Sequence, residues 1–191
     1  MAKINQVTIG GKTYAIHGFR GDVASSQKQK ETRVSGSGGG GGPHYTQNVQ
    51  ITSTTIDHHE LFLVNRSGEE RNFKFVNWDI PCREGQNISV LWAIREGREQ
   101  GPYVRVINNN LKQQQSLKPG ELASEMRPPW YISWGIAIVA AIVLSTFMGW
   151  GGFFLGLAAP LVYFWWRSRQ DAGKLLNSPE LQRAEETLSV G

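Results

Sequence analysis

The chain has 191 residues, a net charge of +4 and one cysteine, Cys82. One cysteine excludes an intrachain disulfide, and the length allows one or two small domains. The basic excess lies in residues 1–46, whereas residues 130–166 contain no charged side chain.

Residues 1–18 predict an N-terminal β-hairpin. Apolar and polar residues alternate in the two runs that end at Ile9 and Ile16. The intervening pair Gly10-Gly11 suits a two-residue turn, because glycine accepts positive φ. An isolated hairpin is marginally stable in water, so we expect this one to pack on the rest of the chain or on a protein partner.

Residues 19–47 predict a flexible, glycine-rich basic linker. Its run VSGSGGGGGPHY cannot bury enough apolar surface to order itself. Arg20, Lys28, Lys30 and Arg33 precede that run. We interpret them as part of a solvated tether; the alternative is a basic arm that rests on anionic lipid.

Residues 48–110 predict a small antiparallel β domain, either a barrel or a sandwich. Five short runs are rich in β-branched and aromatic residues, and turn signals separate most of them. No helical pattern lies between the runs, which argues against a βαβ fold. The predicted strands lie in NVQITSTTI, ELFLV, NFKFV, ISVLWAI and PYVRVI.

The dense polar cluster of this domain is Asp57-His58-His59-Glu60. On a strand, His58 and Glu60 share one face and His59 points to the other, and a zinc site needs three or four converging ligands. We interpret the cluster as a solvated strand end and Cys82 as an ordinary cysteine without an assigned base. No catalytic residue, metal site or cofactor is predicted. An enzyme that uses His58, Glu60 or Cys82 is the third alternative for function.

Nucleic-acid binding is not expected. Phe73, Phe75 and Trp92 are aromatic enough for a base-stacking platform, but they alternate along their strands as core side chains do. The β domain is also electrically neutral. We therefore assign the three aromatic residues to the core.

Residues 111–129 predict a polar connector, and residues 130–166 predict an α-helical transmembrane hairpin with its turn at 149–152. A bilayer core of about 30 Å needs roughly 20 helical residues. One helix through the whole apolar segment would be about 55 Å long, whereas each half suits one crossing.

Aromatic residues stand at both ends and at the middle of the apolar segment, and two arginines follow it. Tryptophan and tyrosine favour the membrane–water interface. A single span would bury the middle tryptophan in hydrocarbon, whereas a hairpin places it at the far interface. The predicted interface anchors are Trp130, Tyr131, Trp134, Trp150, Tyr163, Trp165, Trp166, Arg167 and Arg169.

Basic residues flank both ends of the apolar segment. Residues 112–129 contain three Lys or Arg and residues 167–184 contain four, so a single span has almost no preferred direction. A hairpin places both flanks in the cytoplasm. We therefore predict a multi-pass protein of the inner (plasma) membrane with cytoplasmic N- and C-termini. Pro160 interrupts helical hydrogen bonding and leaves open a wedge that enters one leaflet only.

Small residues spaced four apart are the predicted helix-packing positions: Ala137 with Ala141, and Gly152 with Gly156. Such pairs allow two helices to approach closely. The first interpretation is packing within the hairpin, and the second is a self-association surface of a homo-oligomer.

The tail, residues 167–191, predicts a short amphipathic helix. Ser178 suits the N-cap position and Pro179 the first helical position. A helix of this length is not stable in isolation, so we expect it to dock on the β domain, on lipid or on a partner.

These features together predict a membrane protein with a small all-β soluble domain and a helical hairpin. We expect a non-enzymatic scaffold or adaptor that contacts membrane lipid and presents the β domain in the cytoplasm. Its protein partner would bind the β domain or the N-terminal hairpin. The alternative is a hairpin protein that oligomerises to form a pore or to remodel the membrane.

Overall fold

A computed structural model describes residues 3–37 and 50–190. In chain order, the described elements are β1 (Lys3–Ile9), β2 (Lys12–Ser37), β3 (Gln50–Val64), β4 (Glu70–Val76), β5 (Asn87–Arg95), β6 (Tyr103–Asn108), β7 (Gln113–Ser116), α1 (Pro119–Met126), α2 (Trp130–Leu176) and α3 (Pro179–Val190).

The strands form one seven-stranded antiparallel sheet. Its order is β4-β3-β2-β5-β6-β7, and β1 pairs with β2 outside this path. The sheet confirms the predicted all-β domain. The predicted turn between β1 and β2 is also present, because Ile9 pairs with Lys12 and both Gly10 and Gly11 have positive φ.

Strand β2 is far longer than the predicted hairpin strand. Residues 19–37, predicted as part of a flexible linker, lie within β2 and pair with β3 from Asp22↔Val64 to Ser37↔Gln50. The linker prediction is therefore wrong for this part, because backbone pairing with a distant strand supplies the order that local composition lacks. Residues 38–47 lie outside the described residues.

Two further predicted boundaries differ from the structure. The first two predicted strands of the β domain are one continuous strand, β3, since no turn residue separates them. The polar connector contains β7 and α1, so its segment PGELASEM forms a helix of two turns.

The chain divides into two compact units. The helix-bearing unit comprises Met1–Phe19, Ser89–Val106 and Ser116–Gly191, and its core includes the fully buried Ile16, Leu91, Val104, Leu122, Leu175 and Leu181. The strand unit comprises Arg20–Ile88 and Ile107–Gln115, and its core includes the fully buried Leu61, Leu63, Phe75 and Ile88.

Helix α2 carries the apolar segment and continues beyond it to Leu176. Gly149 interrupts it, with φ 61° and ψ −143°. The extension past residue 166 is polar, yet Ala172 and Leu175 are buried on one of its faces, and α1 packs against α2. Tertiary packing therefore prolongs the helix ten residues into the predicted tail.

Helix α3 forms where the tail helix was predicted. The Ser178 hydroxyl accepts a hydrogen bond from the Leu181 amide at 3.3 Å, as an N-cap does. Leu181 is fully buried, and the Asn5 side chain of β1 donates to the Glu180 carbonyl at 3.3 Å. Helix α3 therefore packs on its own chain, against β1.

Candidate functional site

The described residues contain one helical stretch, beginning at Trp130, that is long and apolar enough to cross a membrane. Few of its side chains are buried. The predicted aromatic anchors are among the exposed ones, with Trp130 75% and Trp150 79% exposed. Exposure of such large apolar side chains is unfavourable in water and favourable at a membrane interface.

The two predicted arginine anchors lie on the first turn of α2 beyond the apolar segment. The Arg169 guanidinium lies 4.3 Å from the centre of the Trp165 ring, a cation–π contact. Arg167 Nε lies 3.4 Å from Asp171 Oδ2, one helical turn further on. Both basic groups are therefore held beside the aromatic end of the segment, where lipid headgroups would lie.

The four predicted small residues are all buried, although α2 is otherwise mostly exposed. A Cβ atom placed on Gly156 would overlap the backbone of Ala140 and Ala141. At Gly152 it would overlap the Leu144 carbonyl. Residues before and after Gly149 therefore lie against each other at these positions.

The β1–β2 hairpin contacts both flanks of the apolar segment. Lys12 Nζ donates a hydrogen bond to the Met126 carbonyl, four residues before Trp130, at 2.9 Å. On the turn beside it, a Cβ atom at Gly10 would lie 2.5 Å from Asp171 Oδ2, so the carboxylate packs on the turn backbone. The two flanks also touch directly, because Gly120 of α1 lies beside Arg169 of α2.

A cavity of about 320 Å³ lies in the helix-bearing unit. Strand pairing brings its polar wall together, since the Glu96 amide donates to the Thr13 carbonyl at 2.9 Å. The cavity is lined by polar Tyr14, Arg95 and Arg98 and by apolar Leu122, Met126 and Leu175, among others.

Charge and burial act on Tyr14 in the cavity lining and on Lys12 close to it. Burial lowers the pKa of Lys12, and the positive charges of Arg95 and Arg98 lower that pKa further, while Asp171 raises it. Burial raises the pKa of the Tyr14 phenol, which is protonated at neutral pH. The Tyr14 hydroxyl is buried and has no hydrogen-bond partner among the described residues.

A second polar cluster lies in the strand unit, around His59. Its Nε2 lies 2.9 Å from Ser26 Oγ and 3.6 Å from Cys82 Sγ, and those two atoms are 3.5 Å apart. His59 is 1% exposed, so its interpretation as part of a solvated strand end is wrong. His58 does lie on the other face, at 3.5 Å from Glu31.

The environment of His59 defines what this cluster can do. Burial lowers the pKa of His59 below its ordinary value of 6.5, and Lys28 lowers that pKa further. The imidazole is therefore neutral at pH 7, and Nε2 exchanges a hydrogen bond with the Ser26 hydroxyl or the Cys82 thiol in a direction that the ring tautomer sets. Nδ1 is buried without a hydrogen-bond partner among the described residues, so no described carboxylate orients the ring as a catalytic triad requires.

The other candidate residues are placed separately. Glu60 is paired with Lys74 at 2.9 Å on the outer face of β3. Phe73, Phe75 and Trp92 are buried, as expected for core residues. Within residues 3–37 and 50–190, no group of three or more His, Cys, Asp and Glu side chains could hold a metal ion.

Sequence reasoning missed both polar clusters. Tyr14 carried a local signal, since it alternates with the core residue Ile16. Arg95, Arg98 and Ser26 carried no local signal. Pairing between strands that are distant in sequence brings the two arginines to Tyr14 and brings Ser26 to His59.

No protein-family model matches this chain, no curated protein matches it, and no solved structure matches it. Function is therefore argued from the chain's own residues.

Proposed function

We propose that a two-helix hairpin holds this protein in the inner membrane, where it acts as a non-enzymatic adaptor. The observation that carries the proposal is that the β1–β2 hairpin contacts Met126 before the apolar segment and Asp171 after it. A straight helix through residues 130–166 would separate its flanks by about 55 Å. Flanks that meet support a segment that turns back.

Two features within the segment support the same turn. Glycine at position 149 permits the positive φ that breaks the helix there. Gly156 and Ala141, about 22 Å apart along a straight helix, lie close enough to exclude a Cβ atom. The proposed hairpin has its turn at 149–152 and places exposed Trp150 at the far interface.

Membrane orientation follows from the flanking charges. Both flanks are basic and meet on one side, and basic flanks favour the cytoplasm. In this arrangement the membrane is crossed twice and the sheet and α3 are cytoplasmic. Exposed Trp130 and Trp166, with Arg167 and Arg169, then lie at the cytoplasmic interface.

The adaptor role rests on one exposed part of the strand unit. Strand β4 ends opposite His58, so among the described strands residues 50–57 pair with β2 only. We call these residues and their partners 30–37 the β2–β3 ribbon. On one face it exposes Val34 by 66% and Ile51 by 67%. A partner protein can add a strand to an exposed strand edge, and exposed apolar side chains beside that edge offer it a hydrophobic contact.

The oligomerising alternative has less support. Gly152 and Gly156, which would form its association surface, are buried against residues of the same chain. This favours the interpretation that these residues pack the hairpin internally.

Photo-crosslinking in membranes of the native host tests the adaptor role. A photoreactive residue replaces Val34 or Ile51 in the full-length chain, and a matched control replaces Arg66, in an exposed turn of the same unit. We expect one protein adduct of the same mass from both ribbon positions and none from residue 66.

Introducing charged residues into the β2–β3 ribbon provides a second test of the adaptor role. Val34→Asp combined with Ile51→Asp should abolish an adduct formed from a third ribbon position on the same face, Ser53. The adaptor proposal fails if the ribbon positions yield no protein adduct, or if residue 66 yields the same one.

A further inference from the structure

The cavity of the helix-bearing unit contains a buried hydrogen-bond donor without an acceptor. Tyr14 is 5% exposed and its hydroxyl has no partner among the described residues. Burying a hydroxyl is unfavourable when its hydrogen bonds to water are lost and no other partner replaces them. Because Tyr14 lines the cavity, an acceptor atom of a bound ligand would satisfy it.

Two cationic side chains line the same cavity. Arg95 and Arg98 make no ion pair among the described residues, whereas Arg105, Arg167 and others do. Guanidinium groups present a planar fork of donors that matches the oxygens of phosphate. The arrangement therefore supplies donors, and its preferred ligand is an anion.

The remaining charges at the cavity leave it positive. Lys12 lies outside the lining, but burial and the nearby Arg95 and Arg98 lower its pKa, so it adds a third positive charge close to the cavity. Against these stand Glu125 of the lining and Asp171, which is itself within 3.4 Å of Arg167. Three positive charges therefore face two negative ones, one of which is already paired.

Apolar side chains also line the cavity. Leu122, Met126 and Leu175 are buried residues of α1 and α2, and the volume of about 320 Å³ is at the small end of ligand sites. A ligand with a phosphate group and a short apolar portion fits both the polar and the apolar residues of this lining.

We propose that this cavity binds a phosphate group through Tyr14, Arg95 and Arg98. The group belongs either to free phosphate or to the headgroup of an anionic phospholipid. Met126 and Leu175 each lie within ten residues of the apolar segment, which brings a headgroup within reach. The site goes beyond the adaptor role and does not rest on it, since its polar residues belong to β2, to the end of β5 and to the segment that follows β5.

Binding measurements on the full-length protein in phosphatidylcholine nanodiscs test the site. Calorimetric titration with inorganic phosphate measures the binding of free phosphate. Native mass spectrometry of protein taken from discs of equimolar phosphatidylcholine and phosphatidylglycerol measures retained anionic lipid, the second source. Tyr14→Phe, Arg95→Gln and Arg98→Gln remove one donor group each, and Arg66→Gln in the strand unit is the matched control.

We expect each cavity variant to weaken phosphate binding or phosphatidylglycerol retention by about tenfold, and Arg66→Gln to leave both unchanged. Weakened phosphate binding assigns free phosphate, and weakened lipid retention assigns the headgroup. Tyr14→Phe keeps the shape of the core, and circular dichroism verifies the fold of every variant. The site is refuted if wild-type protein binds neither ligand, or if cavity variants and Arg66→Gln behave alike. Neither result depends on ribbon crosslinking.

Discussion

His59 is a buried base in the strand unit, held between the Ser26 hydroxyl and the Cys82 thiol. Its surroundings disfavour the charged imidazolium, because burial and the nearby Lys28 both lower its pKa, while Asp79 opposes them weakly. When the chain unfolds, the ring returns to its ordinary pKa near 6.5. The unfolded state therefore binds a proton more readily than the folded one, and this difference controls stability in acid.

We predict that His59→Gln reduces the acid sensitivity of the fold. Above about pH 6.5 both states are unprotonated at His59, so its contribution is constant. As the pH falls below that value, the wild-type chain loses up to about 1.4 kcal/mol of unfolding free energy per pH unit from this group. Thermal unfolding in detergent at several pH values measures the effect.

The control for His59 is its neighbour on the opposite face. His58 is partly exposed beside Glu31, so His58→Gln should retain the acid-dependent loss. Equal acid sensitivity of wild type and His59→Gln would contradict the assignment.

Helix α2 is organised by the small side chains on its buried face. Gly156 lies against the backbone of Ala140 and Ala141, whereas a Cβ atom at Gly135 meets nothing within 4 Å. Two glycines of one element thus have opposite roles: one is required by close approach, and the other is exposed. This contrast provides a matched pair of substitutions.

We predict that Gly156→Leu destabilises the protein by about 1–3 kcal/mol, as overpacking of a close contact does. Gly135→Leu should change stability by about 0.5 kcal/mol or less, as a substitution at an open position. Thermal unfolding in detergent measures both, and light scattering of the purified protein measures the oligomeric state. If Gly156→Leu changes the oligomeric state and leaves stability intact, the glycines serve self-association instead.

At the scale of the whole molecule, the proposed hairpin fixes the side of the membrane on which each segment lies. In that proposed arrangement, residues 124 and 182 flank the apolar segment and share one side of the membrane, while residue 151 lies on the other. A single span and a one-leaflet wedge would each place these three residues differently. The accessibility of the three positions to a labelling reagent therefore distinguishes the three arrangements.

We predict that, in intact cells, a maleimide unable to cross the inner membrane labels Gly151→Cys but neither Ser124→Cys nor Gln182→Cys. Each substitution is made in a Cys82→Ser background, and permeabilisation should expose the two unlabelled sites. Labelling at only one of 124 and 182 would show a single span. Absence of labelling at all three before permeabilisation would show the wedge.

Local features of the chain were predictable from sequence, and features made by distant pairing were not. The Gly10-Gly11 turn and the Ser178 cap each depend on a few adjacent residues. The order of residues 19–37 depends on β3, which begins beyond the glycine run. The same holds for the burial of His59 and for the cavity at Tyr14, because each needs side chains from separate strands.

The contact between β1 and α3 also constrains how the protein is made. Asn5 leaves the ribosome long before Glu180, to which it is hydrogen bonded, whereas every residue of the strand unit precedes residue 116. The strand unit can therefore fold during translation. In the proposed membrane arrangement, β1 and the part of β2 before Arg20 wait until the translocon has inserted the apolar segment. Biogenesis then has two stages, and a chain stalled before residue 180 would leave β1 without α3 and open to chaperones.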